Sequence, residues 1–113
     1  MTNDFTGERV TLEVTGASGD ANLEYIVACV MEEYFELWKK KQRSYGPGNI
    51  AAFAAAGCLI RANDKIQRLK RHYFLNKDVS LPDESIEDTW LDMLGYALMG
   101  LVCHRQQWPG QDN

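Results

Sequence analysis

The sequence lacks the features that would place it at once in a familiar class of enzyme or membrane protein. It has no glycine-rich phosphate loop and no nucleophile with a neighbouring base. Its most apolar run, residues 89–103, is shorter than the ~20 residues of a membrane helix and contains an acid. No signal peptide is apparent, so we expect a cytoplasmic protein without a membrane partner.

Cysteine is also scarce. The three cysteines, Cys29, Cys58 and Cys103, are odd in number, far apart and each surrounded by apolar residues. This pattern favours buried free thiols over disulfides or a zinc site.

The chain has no excess of positive charge, with 12 Lys and Arg against 16 Asp and Glu. Proteins that bind nucleic-acid polymers are usually basic, so that class is not expected. Small anionic ligands are still possible, because local clusters of charge matter more than the sum. The length of 113 residues predicts a single domain, residues 1–113. Such a domain leaves roughly a third of its unfolded surface exposed, which an oligomer could reduce.

Residues 8–15 alternate polar and apolar side chains, which predicts a β-strand with Val10, Leu12 and Val14 on one face. A strand needs a partner, which could be residues 1–6, a later segment or another subunit. We therefore divide the chain into a β arm (1–20), a helical core (22–104) and a tail (105–113).

Apolar residues in the core recur at spacings of three and four, and this predicts three helices. The first covers about 22–43 and ends before Gly46-Pro47-Gly48, and the second covers about 50–73. A loop follows from Asn76 to Pro82, and the third helix runs from about 82–85 to 104. The predicted fold is mainly α, a bundle of three or more helices with a short N-terminal β-strand or hairpin, completed by oligomerisation.

Asp92 is the most informative residue, because it is the only charged side chain between Thr89 and Cys103. A helix that is apolar nearly all round is typically buried, and an unpaired buried charge is very costly. Asp92 must therefore face either a basic side chain or a metal ion. The first partner indicates a structural role and the second indicates an enzyme.

Other acids make a metal site possible. Asp88 lies four residues before Asp92 on the same face of the third helix, and Glu33 and Glu36 share a face of the first. Two helices that each present an acid pair can bind magnesium, which prefers oxygen ligands. The structural alternatives are an ordinary surface pair between Glu36 and Lys40, and a place for Asp88 in the first turn of its helix.

The second helix carries a basic stripe, with spacings of four, three and four, made of Arg61, Lys65, Arg68 and His72. Residues 61–77 hold six basic side chains against one acid, and residues 78–104 hold six acids and no Lys or Arg. The two groups could pair with each other, or hold metal and phosphate between them. Asp64 could simply orient Arg68.

Lys41 and Tyr45 lie at the end of the first helix. They could contact a phosphate and a base. The structural alternatives are a lysine that extends along apolar surface and a tyrosine at the edge of the core.

Three segments, 37–46, 60–69 and 85–97, resemble a phage-associated helical family, the nucleotide modification associated domain, type one. They carry the patterns Lys-x-x-x-Tyr-Gly, Asp-Lys-x-x-Arg-Leu and Glu-Asp-x-x-x-Asp-x-x-x-Tyr-Ala. The chain is more distantly similar to the all-α MazG-type nucleotide pyrophosphohydrolases, which hold magnesium on Glu-x-x-Glu and Glu-x-x-Asp pairs. Glu33 and Glu36 fit the first pair. Asp88 and Asp92 depart from the second, because they are four residues apart.

The resemblance implies a protein that acts on nucleotides, with host cytoplasm as its location if it is encoded by a phage. One hypothesis is magnesium-dependent hydrolysis of a nucleoside triphosphate to monophosphate and pyrophosphate. The catalytic and metal-binding residues would then be Glu33, Glu36, Asp88 and Asp92. The substrate-binding residues would be Lys41, Tyr45, Arg61, Asp64, Lys65, Arg68 and Tyr96.

The alternative is a non-catalytic binder that sequesters a cyclic or signalling nucleotide of a host anti-phage defence system. The acids would then be structural partners of the basic stripe, and the protein would form a homo-oligomer through its N-terminal strand and its helices. A plain helical interaction module is a third interpretation, and it explains Asp92 and the basic stripe less well.

Overall fold

The computed structural model of the chain describes residues 5–78 and 84–111 and is helical throughout its regular structure. The helices are α1 (Ala21–Tyr45), α2 (Gly48–Ala51), α3 (Ala54–Phe74) and α4 (Ile86–His104). The mainly α fold class is thus confirmed. None of the helices in the described part has the length and apolar character needed to cross a bilayer. Part of the predicted loop and the earliest predicted start of the third helix, Pro82, lie outside the described residues.

The described residues divide into two compact units, 5–44 and 45–111 without 79–83. In the first unit, residues 8–15 have no regular secondary structure, and Val10 is 93% exposed. The strand expected there would need a partner, and no described segment pairs with it. The strand, its partner and the division into arm, core and tail therefore stay predictions.

The entry to α1 is organised by two acids. Asp20 caps the helix, because its Oδ1 accepts a hydrogen bond of 3.0 Å from the Leu23 backbone N–H. The Glu24 carboxylate reaches back and accepts bonds from Ser18 Oγ and from the backbone N–H groups of Ser18, Gly16 and Thr15. These bonds favour the charged carboxylate and lower the pKa of Glu24 to about 2.

In the second unit, the helix predicted over 50–73 is interrupted. The short α2 ends at Ala51, and α3 begins at Ala54, whose φ of 52° lies in the left-handed region. The turn brings Phe53 over Gly57, where a Cβ atom would lie 2.5 Å from the Phe53 Cβ. The alanine-rich sequence favours a continuous helix, but the structure breaks it between Ala51 and Ala54, and Ile50 of α2 is buried.

The segment after α4 is anchored to the start of this unit. Trp108 is only 7% exposed, and its indole N–H donates a 3.0 Å hydrogen bond to the Pro47 carbonyl oxygen. Gln111 accepts from the Trp108 backbone N–H and donates to the Cys103 carbonyl oxygen. Trp108 and Gly110, within the segment predicted as a tail, thus lie against Pro47 and Ala51.

Helices α3 and α4 pack closely against each other. A Cβ atom on Gly100 would lie 3.4 Å from the Cys58 Cβ, so the two helices approach each other closely here. Cys58 and Cys103 are buried free thiols, as expected, and burial raises the pKa of both. Cys29 is also a free thiol, but its expected burial is wrong, because it lies exposed on α1.

Candidate functional site

The polar residues of the α3–α4 interface centre on Lys65. Its Nζ lies 2.7 Å from Glu84 Oε1 and 3.2 Å from Asp92 Oδ2. All three side chains are about one-fifth exposed. Burial lowers the pKa of Lys65, but the hydrogen bonds and charges of the two carboxylates outweigh it, and the pKa is raised above its ordinary value. Asp92 thus faces a basic side chain, which is one of the two partners that the sequence allowed. A basic partner indicates a structural role.

Arg68 forms the second layer of this interface, one turn further along α3. Its Nε donates a 2.9 Å hydrogen bond to Thr89 Oγ1, and one terminal nitrogen donates to the Glu84 carbonyl oxygen. Thr89 is completely buried, and its hydroxyl donates to the Ser85 carbonyl oxygen at 3.0 Å. The guanidinium therefore bonds to Thr89 in α4 and to Glu84, the residue before the N-cap of that helix. Asp64, the neighbour expected to orient it, is exposed.

Asp88 closes the N-terminus of α4 in a capping box with Ser85. The Ser85 hydroxyl accepts a 3.0 Å hydrogen bond from the Asp88 backbone N–H, and Asp88 Oδ2 accepts one from the Ser85 backbone N–H at 3.0 Å. This is the first-turn position that the sequence allowed as the alternative to a metal ligand. The carboxylate also lies where the helix dipole favours negative charge.

Arg61 and Tyr96 lie about one helical turn from Lys65, on the side opposite to Arg68. The pairs 65–92 and 68–89 define an antiparallel register, and the same register places Arg61 level with Tyr96. Both side chains are half-buried. Among the described residues, Arg61 forms no ion pair. This layer therefore combines a cation and an aromatic ring next to the Lys65 network.

The predicted site residues of α1 lie on its surface. Glu33, Lys41 and Tyr45 are exposed, the last of them by 71%. The Glu36 carboxylate pairs with Lys39 Nζ at 2.7 Å, one residue from the surface partner expected for it. Such an exposed pair contributes little to stability.

A magnesium site on Glu33, Glu36, Asp88 and Asp92 stays a prediction. Over residues 5–78 and 84–111, no group of three or more His, Cys, Asp or Glu side chains is arranged to hold a metal ion. The ammonium of Lys65 lies where a cation shared by Glu84 and Asp92 would lie.

Two residues of the interface, Glu84 and Thr89, were not singled out from the sequence. Glu84 looked like one of several acids before α4, and Thr89 like the polar edge of an apolar run. A signal was available for Thr89, since a β-branched hydroxyl one turn after Ser85 can bond back to the carbonyl oxygen four residues earlier. No local signal identifies Glu84, because its partner lies 19 residues away.

Comparison of the chain with protein-family models, curated protein sequences and solved structures gave no match.

Proposed function

We propose that this protein binds a nucleotide without hydrolysing it, and that the α3–α4 interface forms the binding surface. The observation that carries the proposal is the position of Lys65 between Glu84 and Asp92. An ammonium that is already paired with both carboxylates disfavours a divalent cation at the same place, because the two cations would repel each other. Glu84 and Asp92 then act as structural partners of Lys65 in the basic stripe.

The layer of Arg61 and Tyr96 supplies the chemistry for a nucleotide. A guanidinium with no carboxylate partner among the described residues can form two parallel hydrogen bonds to a phosphate. An aromatic ring at the same level can stack on a base. Lys65 and Arg68 hold this part of α3 in place through α4. The resemblance to a nucleotide-related phage family supports the same ligand class, and a signalling nucleotide of host defence fits a binder that only sequesters.

The finer part of the proposal concerns association. Val10, Leu12 and Val14 are exposed at 93%, 45% and 42%. Their alternation is typical of a strand that is completed by pairing. We assign that pairing to the arm of another copy in a homo-oligomer.

Magnesium-dependent hydrolysis on Glu33, Glu36, Asp88 and Asp92 is the competing function, and the resemblance alone supports it. Incubation with each nucleoside triphosphate and magnesium distinguishes the two functions. We expect no release of pyrophosphate. Release that is lost in Asp92→Asn, with the fold intact, would replace binding by hydrolysis.

Calorimetric titration tests the binding itself, with nucleoside triphosphates and a panel of cyclic nucleotides as probes. Binding should survive a chelator, and Arg61→Gln should weaken it roughly 10- to 100-fold, since a charged hydrogen bond to phosphate is lost. Lys70→Gln is the matched control, because Lys70 is exposed on the face of α3 away from α4. Equal effects of the two substitutions would contradict a site at Arg61.

A further inference from the structure

The face of α4 that points away from α3 is apolar and partly exposed. Leu94, Leu98 and Leu101 follow one another along it at spacings of four and three. Leu98 is 45% exposed and Leu101 46%, and Leu94 is half-buried. Trp90 lies at the edge of this face, because its indole N–H donates a 3.0 Å hydrogen bond to the Tyr73 hydroxyl of α3. Side chains of this size along one helix face are typically buried against another element. We call Leu94, Leu98 and Leu101 the outer face of α4.

The outer face has opposite charges at its two ends and none between them. Glu87 lies seven residues before Leu94, and Arg105 lies four residues after Leu101. Both are exposed, and neither forms an ion pair with any residue the structure describes. The one acid within the helix, Asp92, points to α3. The partner that fits this face is therefore apolar along its length, basic at one end and acidic at the other.

A second copy of α4, running antiparallel, has those properties. In a two-fold arrangement the same surface of each copy forms the interface, so a residue at its centre lies near its own counterpart. A charge at the centre would therefore be repelled by the same charge of the other copy, and the centre must be uncharged. The register that places Glu87 beside Arg105 of the second copy also places Leu94 beside Leu98 of that copy. The ion pair then occurs twice, and the two helix dipoles oppose each other favourably.

We propose that α4 pairs with α4 of a second copy through its outer face. This interface is separate from the N-terminal arm, and it lies on the opposite side of α4 from the proposed nucleotide site. The two proposals can therefore fail independently.

Sedimentation velocity over a range of protein concentrations tests the interface. The wild-type chain should dimerise, and Leu98→Glu should weaken the dimer on the order of 100-fold or more, because two charges are forced into the apolar centre. Leu59→Glu is the matched control. Leu59 lies on α3 and is 70% exposed, so the same chemical change there should leave association unchanged.

Charge reversal tests the register without touching the apolar centre. Glu87→Arg and Arg105→Glu should each weaken association roughly 3- to 30-fold, and the double variant should restore it. Both positions are exposed, so circular dichroism should report unchanged helix content. A wild-type chain that stays monomeric, a double variant no better than the single ones, or an association constant that Leu98→Glu leaves unchanged would each overturn the proposal.

Discussion

Replacement of Lys65 by Met tests the α3–α4 network most directly. The substitution keeps most of the volume of the side chain but removes the ammonium. Glu84 and Asp92 would then lie close together without the cation that now lies 2.7 Å and 3.2 Å from them. Without the shared ammonium of Lys65, the two carboxylates repel each other and lose their hydrogen bonds to it. The folded state should therefore be destabilised.

The size of the effect follows from the exposure of the groups. Removal of one partner from a fully buried pair costs about 3–5 kcal/mol. The three side chains are about one-fifth exposed, and water can reach the carboxylates, so we expect about 2–4 kcal/mol for Lys65→Met. Asp92→Asn should cost less, about 1–2 kcal/mol, because Lys65 keeps Glu84 as its partner.

Urea denaturation followed by circular dichroism measures both free energies of unfolding. Lys70→Met is the control, and at an exposed position it should change stability by no more than about 0.5 kcal/mol. The pKa of Lys65 is raised in the folded state, so its contribution is complete below the unfolded value of 10.5 and is lost as the pH rises above it. The difference between wild type and variant should therefore shrink in strongly alkaline solution. A Lys65→Met protein as stable as the control would refute the network as a source of stability.

Three further predictions concern single hydrogen-bonded groups. Thr89→Val should cost about 1–3 kcal/mol in urea denaturation, because Arg68 loses its acceptor; an unchanged midpoint would contradict this. Ser85→Ala should cost about 1 kcal/mol and speed amide hydrogen exchange in the first turn of α4, whereas unchanged exchange would argue against the cap. The Glu24 carboxyl should titrate with a pKa of about 2. The contribution of this carboxylate to stability is complete above its ordinary pKa of 4.5 and is lost as the pH falls through about 2. The Gly16 amide resonance should therefore shift with a midpoint near pH 2. A midpoint near 4.5 would count against the contacts.

Much of the helical structure was predictable because it depends on neighbouring residues. The spacing of apolar side chains gave the extents of α1 and α4 to within a few residues. Asp20 and Ser85 cap these helices, and both are residue types that favour this position because their side chains bond a backbone N–H two or three residues later.

The break between α2 and α3 could not be predicted in the same way. The local sequence around Ala52 favours a helix, and nothing near it predicts the left-handed Ala54. Pro47, the residue before α2, accepts a hydrogen bond from Trp108 across 61 residues of sequence. A contact at that separation leaves no periodic pattern in either segment.

The candidate site shows the same division. The sequence by itself determined that Asp92 needs a positive partner, because a carboxylate on an apolar helix cannot be buried alone. It narrowed that partner to a basic side chain or a metal ion. Only the tertiary structure decided that Lys65 is a partner, because the antiparallel packing of α3 on α4 sets which residues share a level. Charge and periodicity are properties of each helix alone, whereas register belongs to the pair.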